Sequence, residues 1–397
     1  MRNIAIVGGS LAAVHAAEAL REDGFGGDIT LISAEENLPY DRPPLSKEGL
    51  SNGPEIEKLY LRSPQWYEDK GITLRLGAAA EALDVSQQIL RLGDGTDFTY
   101  DGLVLATGSR ARRLPAVDGV PGAHVVRDIA DARELRDKLA PGKRLLLIGG
   151  GFIGLEIAAT ARQMGVEVSV IDVGRAPLAR ALGDEVGRWF RELHLRNGAS
   201  IVCTCSVERF VPTANGVRAE LSNGDSVDAD VVAAGIGAVP NIEWLEGSGL
   251  STANGVLTSP DLSTGIPGIV AAGDIARWYN PLFDEEMRVE HWTNAAEQGR
   301  HAARTLLGAG EAFSSIPYFW SDHYNAKMRF VGRSTAATDV FVEEATDTRL
   351  SAVYGRDGVV CGAVCVNAPR QLVKYRAAIR DHVSWRDVAG AAPTAVV

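Results

Sequence analysis

The chain has 397 residues, of which 46% are hydrophobic, so it is too long for one ordinary domain and can fill two or three packed cores. Its net charge of −11 argues against general nucleic-acid binding, because phosphate backbones require a basic protein face. The most apolar run, residues 145–155, is rich in glycine and is interrupted by Glu156, so no membrane segment is expected.

The first predicted unit is a strand, a glycine turn, an alanine-rich helix and a second strand over residues 3–35. The turn, Gly8 to Ser10, brings backbone N–H groups and the positive end of the helix dipole to where a pyrophosphate could lie. Glu35 follows the second strand, where a carboxylate can accept hydrogen bonds from ribose hydroxyls. We therefore expect the ADP half of a flavin dinucleotide here. The first strand begins too early for a signal peptide to precede it, which predicts a cytoplasmic protein.

A proline-rich loop follows at residues 37–47 and carries the cations Arg42 and Lys47. The prolines exclude a regular helix through its middle and favour an ordered turn. From spacing alone, a stiff surface loop and a ligand-binding loop are equally good interpretations. Strand-like runs at 73–76 and 89–92 come next.

A buried strand then runs into Ala106, Thr107 and Gly108. Glycine at such a strand end is typical of a backbone that passes close to a ligand or to another segment of the chain.

The opening pattern repeats at residues 143–172. A strand at 144–148 leads into Gly149, Gly151 and Gly154, and a helix to about residue 164 and a strand at 166–171 end at Asp172. This copy satisfies the dinucleotide fingerprint in full. Its return strand, 230–234, leads into Gly235 and Gly237.

The order of these elements implies an insertion. A later strand ends in Gly273 and Asp274 and supplies the missing piece of the first domain. We predict an α/β protein with two Rossmann-like dinucleotide-binding domains and a small C-terminal α+β domain. The predicted domains are 1–110 with 242–315 for FAD, 111–241 for NAD, and 316–397 for the α+β domain. In the last, we expect strands at 328–332, 340–342, 350–354 and 359–366, closed by a helix at 369–381.

Four motifs together resemble a known family. They are PYDRPPLSK at 39–47, GGGFIGLE at 149–156, AAGDIA at 271–276 and VEHWTNAAEQG at 289–299. The chain resembles, from end to end, the FAD-dependent NADH:ferredoxin and rubredoxin reductases of bacterial oxygenase systems, within the glutathione-reductase-like superfamily. The resemblance implies that FAD takes a hydride from NADH and passes single electrons to an iron-sulfur ferredoxin or rubredoxin, which feeds a monooxygenase or a ring-hydroxylating dioxygenase.

The cysteines separate this chain from thiol-dependent members of the superfamily, which carry one or two cysteines just after the first unit. Here the four cysteines are Cys203, Cys205, Cys361 and Cys365. Disulfide reduction is therefore not expected. Neither pair has the flanking residues of a zinc site, so no metal is expected and the thiols are interpreted as buried structural groups. A spacing of two on a strand would put Cys203 and Cys205 on one face.

The resemblance also implies roles for particular residues. Lys47 and Glu156 pair beside the hydride-accepting nitrogen of the flavin, and the charge of each favours mutual pairing, because an unpaired buried charge is strongly unfavourable. The implied FAD-binding residues are Gly8, Ser10, Leu11, Ala12, Ala13, Glu35, Arg42, Lys47, Ala80, Ala106, Thr107, Gly108, Arg127, Gly273, Asp274 and Trp292. The implied NAD-binding residues are Gly149, Gly151, Phe152, Ile153, Gly154, Glu156, Asp172, Arg175, Gly235 and Gly237.

Asp172 favours NADH, because its charge would repel a 2′-phosphate, whereas Arg175 could reach that phosphate. Ser10 and Ala13 stand where glycine is usual and slightly crowd the pyrophosphate, which predicts somewhat weaker FAD binding.

Five residues are candidates for contact with the ferredoxin. Trp320 resembles one near the docking face, and Arg300, Arg304, Lys327 and Arg329 are candidates for a basic patch, although each could be ordinary surface charge. His15 is interpreted as packing.

Related patterns leave alternatives open. A flavoprotein of the apoptosis-inducing-factor type usually carries a targeting sequence and a long C-terminal insertion, and the flavin portion of nitrite reductases continues into iron-cluster and sirohaem domains. A diaphorase or NADH oxidase that reduces quinones or oxygen directly is a further alternative.

Overall fold

The computed structural model describes residues 1–51, 56–114, 120, 123–335, 337–390 and 395–396. Contacts divide the chain into two compact units, each of them discontinuous in sequence. Unit 1 comprises Met1–Asp41, Glu55–Arg110 and Val239–Pro317, and unit 2 comprises Arg42–Pro54, Ala111–Ala238 and Tyr318–Val397. Two short strands, Ser109–Ala111 and Ala238–Pro240, each cross a boundary between the units in sequence. In the described chain, no helix combines the length and the apolar character that crossing a bilayer requires.

Unit 1 is built on a five-stranded parallel sheet. Its strands lie in the order Ile269–Ala271, Gly102–Leu105, Asn3–Val7, Asp28–Ile32 and Ile72–Arg75. Most of their residues are apolar because a parallel sheet is buried on both faces. Two three-stranded sheets accompany it. One is antiparallel and consists of Ala80–Asp84, Ile89–Leu92 and Asp97–Thr99. The other is mixed, because Ala276–Asn280 pairs in parallel with Val256–Leu257 and antiparallel with Glu285–Arg288. The helices are Leu11–Glu22, Pro64–Asp69 and Trp292–Leu306, with 3₁₀ turns at Ile56–Leu59, Glu243–Leu245 and Gly273–Ile275.

Two helices of unit 1 pack closely against each other. A Cβ atom added at Gly299, in helix Trp292–Leu306, would lie 2.3 Å from the Ala12 carbonyl oxygen, so only glycine allows this approach. Charged side chains continue the contact, since Arg300 binds Glu18 and Glu22 of helix Leu11–Glu22. The first helix of the chain is therefore covered by a helix that follows almost 280 residues later.

Unit 2 contains a second five-stranded parallel sheet. Its strands lie in the order Ser200–Val202, Glu167–Ile171, Arg144–Ile148, Val231–Ala234 and Ala123–His124. Between strands Ser200–Val202 and Val231–Ala234, the chain forms an antiparallel sheet of Val207–Thr213, Gly216–Leu221 and Ser226–Ala229. The helices in this part of unit 2 are Glu48–Ser51, Ile129–Arg136, Phe152–Gln163, Ala179–Leu182 and Asp184–Arg196, with a 3₁₀ turn at Pro43–Ser46.

The C-terminal part of unit 2 is a six-stranded antiparallel sheet with helices Pro369–Arg380 and Trp385–Ala389. Its strands lie in the order Tyr318–His323, Ala326–Gly332, Val359–Val366, Leu350–Arg356, Asp339–Ala345 and Ala395–Val396. The four strands and the helix expected here are present, and strand Tyr318–His323 is an addition that the sequence did not predict.

Two parallel sheets of Rossmann type and a C-terminal α+β part confirm the predicted fold class. One hydrophobic core joins the second parallel sheet to the C-terminal sheet, with Leu147 from the former and Met328 and Val364 from the latter. Phe190 of helix Asp184–Arg196 belongs to the same core. This shared core explains why contacts unite the two parts. The predicted domain boundaries, which separate them at residue 316, stay a prediction.

Candidate functional site

The carboxyl ends of four parallel strands meet at one edge of the unit 1 sheet. Val7 pairs with Ile32 and with Leu105, and Leu105 also pairs with Ala271. Ligands of open α/β sheets bind at this edge. The predicted residues that directly follow these strand ends are Gly8, Ser10, Ala106, Thr107, Gly108, Gly273 and Asp274.

Glycine is required in the turn after the first strand. Gly8 has a φ of +134°, and an added Cβ would lie 2.1 Å from the Ala106 carbonyl oxygen. At Gly9, a Cβ would lie 2.2 Å from Ser33 Oγ. Ser10 is the N-cap of the following helix in extended conformation, and its hydroxyl makes no capping bond. The turn thus forms a close cradle at a helix N-terminus, the arrangement that binds phosphate groups.

The helix after this turn is packed tightly along its length. Leu11, Ala12 and Ala13 are all buried, and Ala13 has no exposed surface. The methyl group of Ala13 is therefore accommodated in the packing where related turns use glycine. Its expected effect on FAD affinity stays a prediction.

Polar bonds fix the other strand ends of the unit 1 site. Ser109 Oγ donates to Asp274 Oδ2 at 2.7 Å. Thr107 Oγ1 donates to the Asn241 carbonyl oxygen at 2.9 Å, and Asn241 Nδ2 donates back to the Thr107 carbonyl at 2.9 Å. These bonds hold the segment after strand Gly102–Leu105 in one conformation.

Two predicted residues of unit 1 have partners that the sequence did not indicate. The hydroxyl of the buried Tyr40 donates to Glu35 Oε2 at 2.5 Å. The indole N–H of Trp292, the first residue of its helix, donates to Asp41 Oδ1 at 2.7 Å. Ala80 lies at the start of strand Ala80–Asp84 and packs against the hydrophobic core of unit 1.

The second glycine turn, in unit 2, has the same construction. Gly149 has a φ of +97°, and an added Cβ would lie 2.6 Å from the Gly235 carbonyl oxygen. A Cβ at Gly154 would lie 2.3 Å from the Gly149 carbonyl oxygen. Gly151 is the N-cap of helix Phe152–Gln163, on whose first turn Ile153 is exposed. Gly237 follows in the same loop as Gly235, with a φ of +103°.

Asp172 braces this second turn from the neighbouring strand end. Its Oδ2 accepts from the Gly150 N–H at 2.5 Å, and its Oδ1 accepts from the Gly174 N–H at 2.6 Å. The side chain of Arg175 is 84% exposed, and its closest acidic contact is Asp184 at 3.8 Å. The sequence predicted that Asp172 binds NAD. The structure shows this carboxylate holding the glycine turn itself.

Arg42 and Arg127, which the sequence assigned to FAD, lie together in unit 2. Arg42 Nη1 donates to the Arg127 carbonyl oxygen at 2.8 Å. Arg127 precedes helix Ile129–Arg136, and the Asp131 carboxylate accepts from its N–H at 2.8 Å. The proline loop is ordered, as expected, with Pro43 and Pro44 opening the 3₁₀ turn.

The expected ion pair between Lys47 and Glu156 is present. Lys47 Nζ lies 2.7 Å from Glu156 Oε2, and Lys47 Nζ also donates to the Pro43 carbonyl oxygen at 3.1 Å. Glu156 is only 3% exposed. A buried carboxylate requires charge compensation and hydrogen bonds, and Lys47 supplies the charge.

Two serines complete the environment of Glu156. Ser46 Oγ donates to Oε2 at 2.5 Å, and Ser321 Oγ donates to Oε1 at 2.6 Å. Thr160 Oγ1 donates to the Ser46 carbonyl oxygen at 2.9 Å, which fixes the loop against the helix. Ser321 Oγ is also 3.0 Å from His323 Nε2. Sequence analysis missed the roles of the two serines because they lie more than 100 positions from Glu156, and Ser321 belongs to none of the four motifs.

His323 is fully buried, and its pKa is lowered to about 3 by burial. His194 packs edge-on against it, with ring centroids 5.4 Å apart, and burial also lowers the pKa of His194. Both imidazoles are therefore neutral near pH 7. Tyr324 OH lies 3.3 Å from His194 Nδ1.

The four cysteines form no disulfide with one another. Cys205, Cys361 and Cys365 are buried, as the sequence predicted, whereas Cys203 is half-buried. Burial raises the pKa of Cys203, and it raises the pKa of Cys365 to about 11. The expectation that Cys203 and Cys205 share a face of a strand is wrong, because strand Ser200–Val202 ends before them. Within the described part of the chain, no group of three His, Cys, Asp or Glu side chains could hold a metal ion.

The candidate basic residues are mostly neutralised by acidic neighbours. Arg300 binds Glu18 and Glu22, Arg304 binds Asp23, and Arg329 binds Asp322, while the Lys327 side chain is exposed. Trp320 is half-buried in strand Tyr318–His323. His15 is bonded to Glu18, which fits the packing role expected of it.

Comparison with known proteins agrees with this geometry. Residues 2–299 match the family described as pyridine nucleotide-disulphide oxidoreductase, and residues 318–395 match the one described as reductase C-terminal. A curated relative, the anthranilate 1,2-dioxygenase system ferredoxin--NAD(+) reductase component of Burkholderia cepacia, is 40% identical over 92% of this chain and 91% of the relative. Rhodocoxin reductase of Rhodococcus erythropolis is 37% identical over 94% of this chain and 88% of the relative.

A solved structure also resembles the chain over nearly its whole length. The reductase in the covalent putidaredoxin reductase-putidaredoxin complex superposes with a TM-score of 0.92 at 34% identity, covering 96% of this chain and 94% of that chain. The two glycine turns, the C-terminal sheet and these similarities lead to one conclusion: the chain belongs to the pyridine nucleotide-disulphide oxidoreductase family.

Proposed function

We propose that the chain is an FAD-dependent NADH:ferredoxin reductase that supplies electrons to an oxygenase. The observation that carries the proposal is its similarity, over more than nine-tenths of its length, to a ferredoxin--NAD(+) reductase component of a dioxygenase system. The first cysteine of the sequence is Cys203, so no thiol lies near the first glycine turn in sequence to accept electrons. This supports an external electron acceptor over a disulfide.

The two glycine turns fit the cofactors that the family implies, FAD and NAD(H). At Gly8 and Gly149 an added Cβ would meet backbone oxygen, so each turn allows the close backbone approach that a pyrophosphate needs. When bound, FAD accepts a hydride from NADH and releases electrons one at a time. The chain positions the reactants and controls the charge around them.

We assign FAD to residues 1–110 and 242–315, NADH to 111–241, and the remainder to a C-terminal α+β domain. In this assignment the Gly8 turn holds the pyrophosphate of FAD, and Asp274 bonds its polyol linker. Arg42, Lys47 and Arg127 also contact FAD, and the Gly149 turn holds the pyrophosphate of NADH. Lys47 and Glu156 act as a neutral pair that maintains one ammonium position beside the hydride-accepting atom.

We assign NADH as the preferred donor because Asp172 presents a carboxylate where a 2′-phosphate would lie. The partner is an iron-sulfur ferredoxin or a rubredoxin, and the complex between putidaredoxin and the similar reductase supports this class of acceptor. Cysteines that form no disulfide, three of them buried, fit the reducing cytoplasm, which we propose as the location.

The test uses purified FAD-loaded protein and NADH, with cytochrome c as the final acceptor. Reduction is measured with and without each of several two-iron ferredoxins and a rubredoxin. We expect at least one partner to accelerate cytochrome c reduction strongly, with saturation at micromolar partner. Rates that no partner increases, together with direct reduction of quinone or oxygen, would instead establish a diaphorase or oxidase.

A further inference from the structure

We propose that Ser321 and His323 are positioning residues, which act through a chain of hydrogen bonds to hold the Glu156 carboxylate, and through it the Lys47 ammonium, in the geometry for hydride transfer. The inference rests on the proposed function and deepens it. All four residues belong to unit 2.

The hydrogen bonds define which atoms carry protons. Ser321 Oγ is 2.6 Å from Glu156 Oε1 and 3.0 Å from His323 Nε2. An ionised carboxylate only accepts, so the single hydroxyl proton of Ser321 points to Glu156. In the proposed arrangement the Ser321 oxygen accepts from His323, so the proton of the neutral imidazole lies on Nε2, in competition with the backbone of Leu155, which also interacts with the ring.

The opposite tautomer of His323 would change the state of Glu156. With its proton on Nδ1, His323 would offer Nε2 as an acceptor, and the Ser321 hydroxyl could turn towards it. Glu156 Oε1 would then lose the Ser321 hydroxyl as a donor while remaining buried. The tautomer therefore decides whether both oxygens of this carboxylate are satisfied.

Glu156 is constrained from two sides. Lys47 and Ser46, from the proline loop, bind Oε2, and Ser321, from strand Tyr318–His323, binds Oε1. The charged and titratable groups that face this system are Lys47 from the loop and His323 from the strand, and His194 of helix Asp184–Arg196 packs against His323. Strand Tyr318–His323 thus fixes the orientation of the Glu156 carboxylate, and the carboxylate in turn fixes the position of the Lys47 ammonium.

Two substitutions at position 323 test whether a donor must extend as far as Nε2 to bond Ser321. In His323→Gln, an amide N–H takes the place of Nε2, whereas in His323→Asn the amide reaches only as far as Nδ1. Ser321→Ala removes the hydroxyl itself. Ser351→Ala is the matched control, because Ser351 is equally buried in the same sheet and binds Glu343.

The first readout is made on the unmodified protein, and a variant serves only to assign its signal. In FAD-loaded protein with ¹⁵N-labelled histidine, NMR reports which ring nitrogen of His323 carries the proton, and His323→Gln assigns the signal. We expect the proton on Nε2. A proton on Nδ1 would overturn the proposal.

The second readout is stopped-flow reduction of the bound flavin by NADH, without any ferredoxin, from pH 5.5 to 8.5. We expect His323→Asn and Ser321→Ala to lower the limiting rate about 3- to 10-fold, with the NADH dependence unchanged. His323→Gln and Ser351→Ala should stay within about twofold of the unmodified protein. Unchanged rates in His323→Asn and Ser321→Ala, or an equal loss in His323→Gln, would refute the proposal. Failure to reduce a ferredoxin is scored separately, since no ferredoxin enters this measurement.

Discussion

Lys47 Nζ and Glu156 Oε2 lie 2.7 Å apart, although the proline loop and the helix that carry them are separated by more than 100 residues. Glu156 is buried, and 19% of the Lys47 side chain is exposed. Removing one partner from such a pair leaves the other charge uncompensated, at a typical cost of about 3–5 kcal/mol for a fully buried pair. The partial exposure of Lys47 reduces this figure.

Lys47→Ala should slow reduction of the flavin by NADH about tenfold or more, while FAD stays bound. The reason is the loss of the ammonium that we place beside the hydride-accepting atom. Stopped-flow absorbance gives the rate, and Lys143→Ala, at an exposed lysine, is the control. An unaltered rate would count against the placement of Lys47.

The double variant Lys47→Met, Glu156→Gln separates stability from catalysis. Both charges are absent, so no buried carboxylate lacks a counterion, and thermal stability should recover relative to Lys47→Ala. The rate of flavin reduction should stay low. Recovery of both properties would show that the ammonium has no part in the reaction.

Stability should fall with acid because His323 and His194 are buried in the neutral form. Their folded pKa values lie below the usual 6.5, with that of His323 at about 3. Below pH 6.5 the unfolded chain takes up protons that the folded chain does not, so the free energy of unfolding decreases as the pH falls from 6.5 towards 3. The slope reaches about 1.4 kcal/mol per pH unit for each histidine.

Urea unfolding at pH 8, 6.5 and 5.5, with a fixed excess of FAD, measures this slope. His323→Gln should show a shallower dependence below pH 6.5, and His382→Asn, at an exposed histidine, should not differ from the unmodified protein. Parallel curves for all three proteins would contradict the expected contribution of His323.

Gly8→Ala should abolish or strongly weaken FAD binding. The added methyl group would lie 2.1 Å from the Ala106 carbonyl oxygen at a φ of +134°, so the turn must open. The flavin absorbance of the purified protein reports occupancy. Gly26→Ala is the control, since no atom lies within 4 Å of its added Cβ, and full flavin content in Gly8→Ala would exclude the turn as the pyrophosphate site.

Asp172→Ala should erode discrimination against NADPH. If repulsion of a 2′-phosphate gives about a hundredfold preference, or roughly 2.7 kcal/mol, most of it should disappear in kcat/KM for the two donors. The variant should also be less stable, because Asp172 accepts from the Gly150 and Gly174 N–H groups. Arg175→Ala should change selectivity in the opposite direction, and unchanged ratios in Asp172→Ala would place the selectivity elsewhere.

Local patterns predicted the elements well where glycine and apolar runs coincide. Strand Arg144–Ile148 has the predicted bounds, and helix Phe152–Gln163 ends within one residue of its expected end. Both belong to one strand–turn–helix–strand unit of about 30 residues, whose pattern a sequence displays directly. The missed strand Tyr318–His323 has three aromatic residues followed by three polar ones, so it lacks the apolar alternation of a typical strand. It forms through pairing with strand Ala326–Gly332.

The surroundings of the charged pair could not be predicted in the same way. Resemblance indicated that Lys47 and Glu156 meet, but Ser321 reaches Glu156 from 165 residues away through a sheet whose register no local pattern encodes. Tyr40 and Glu35 illustrate the same limit at shorter range. The bond between them depends on the path of the loop and not on the residue types alone.

The glycine contact between Gly299 and Ala12 has a consequence for synthesis on the ribosome. The helix that covers Leu11–Glu22 is complete only at Leu306, and strand Ile269–Ala271 joins its sheet only shortly before. At about 5–20 residues per second, roughly 10–40 s pass between the emergence of residue 110 and that of residue 306. During this time an apolar helix and an unfinished sheet edge are exposed, so the nascent chain is a substrate for chaperones until its first unit closes.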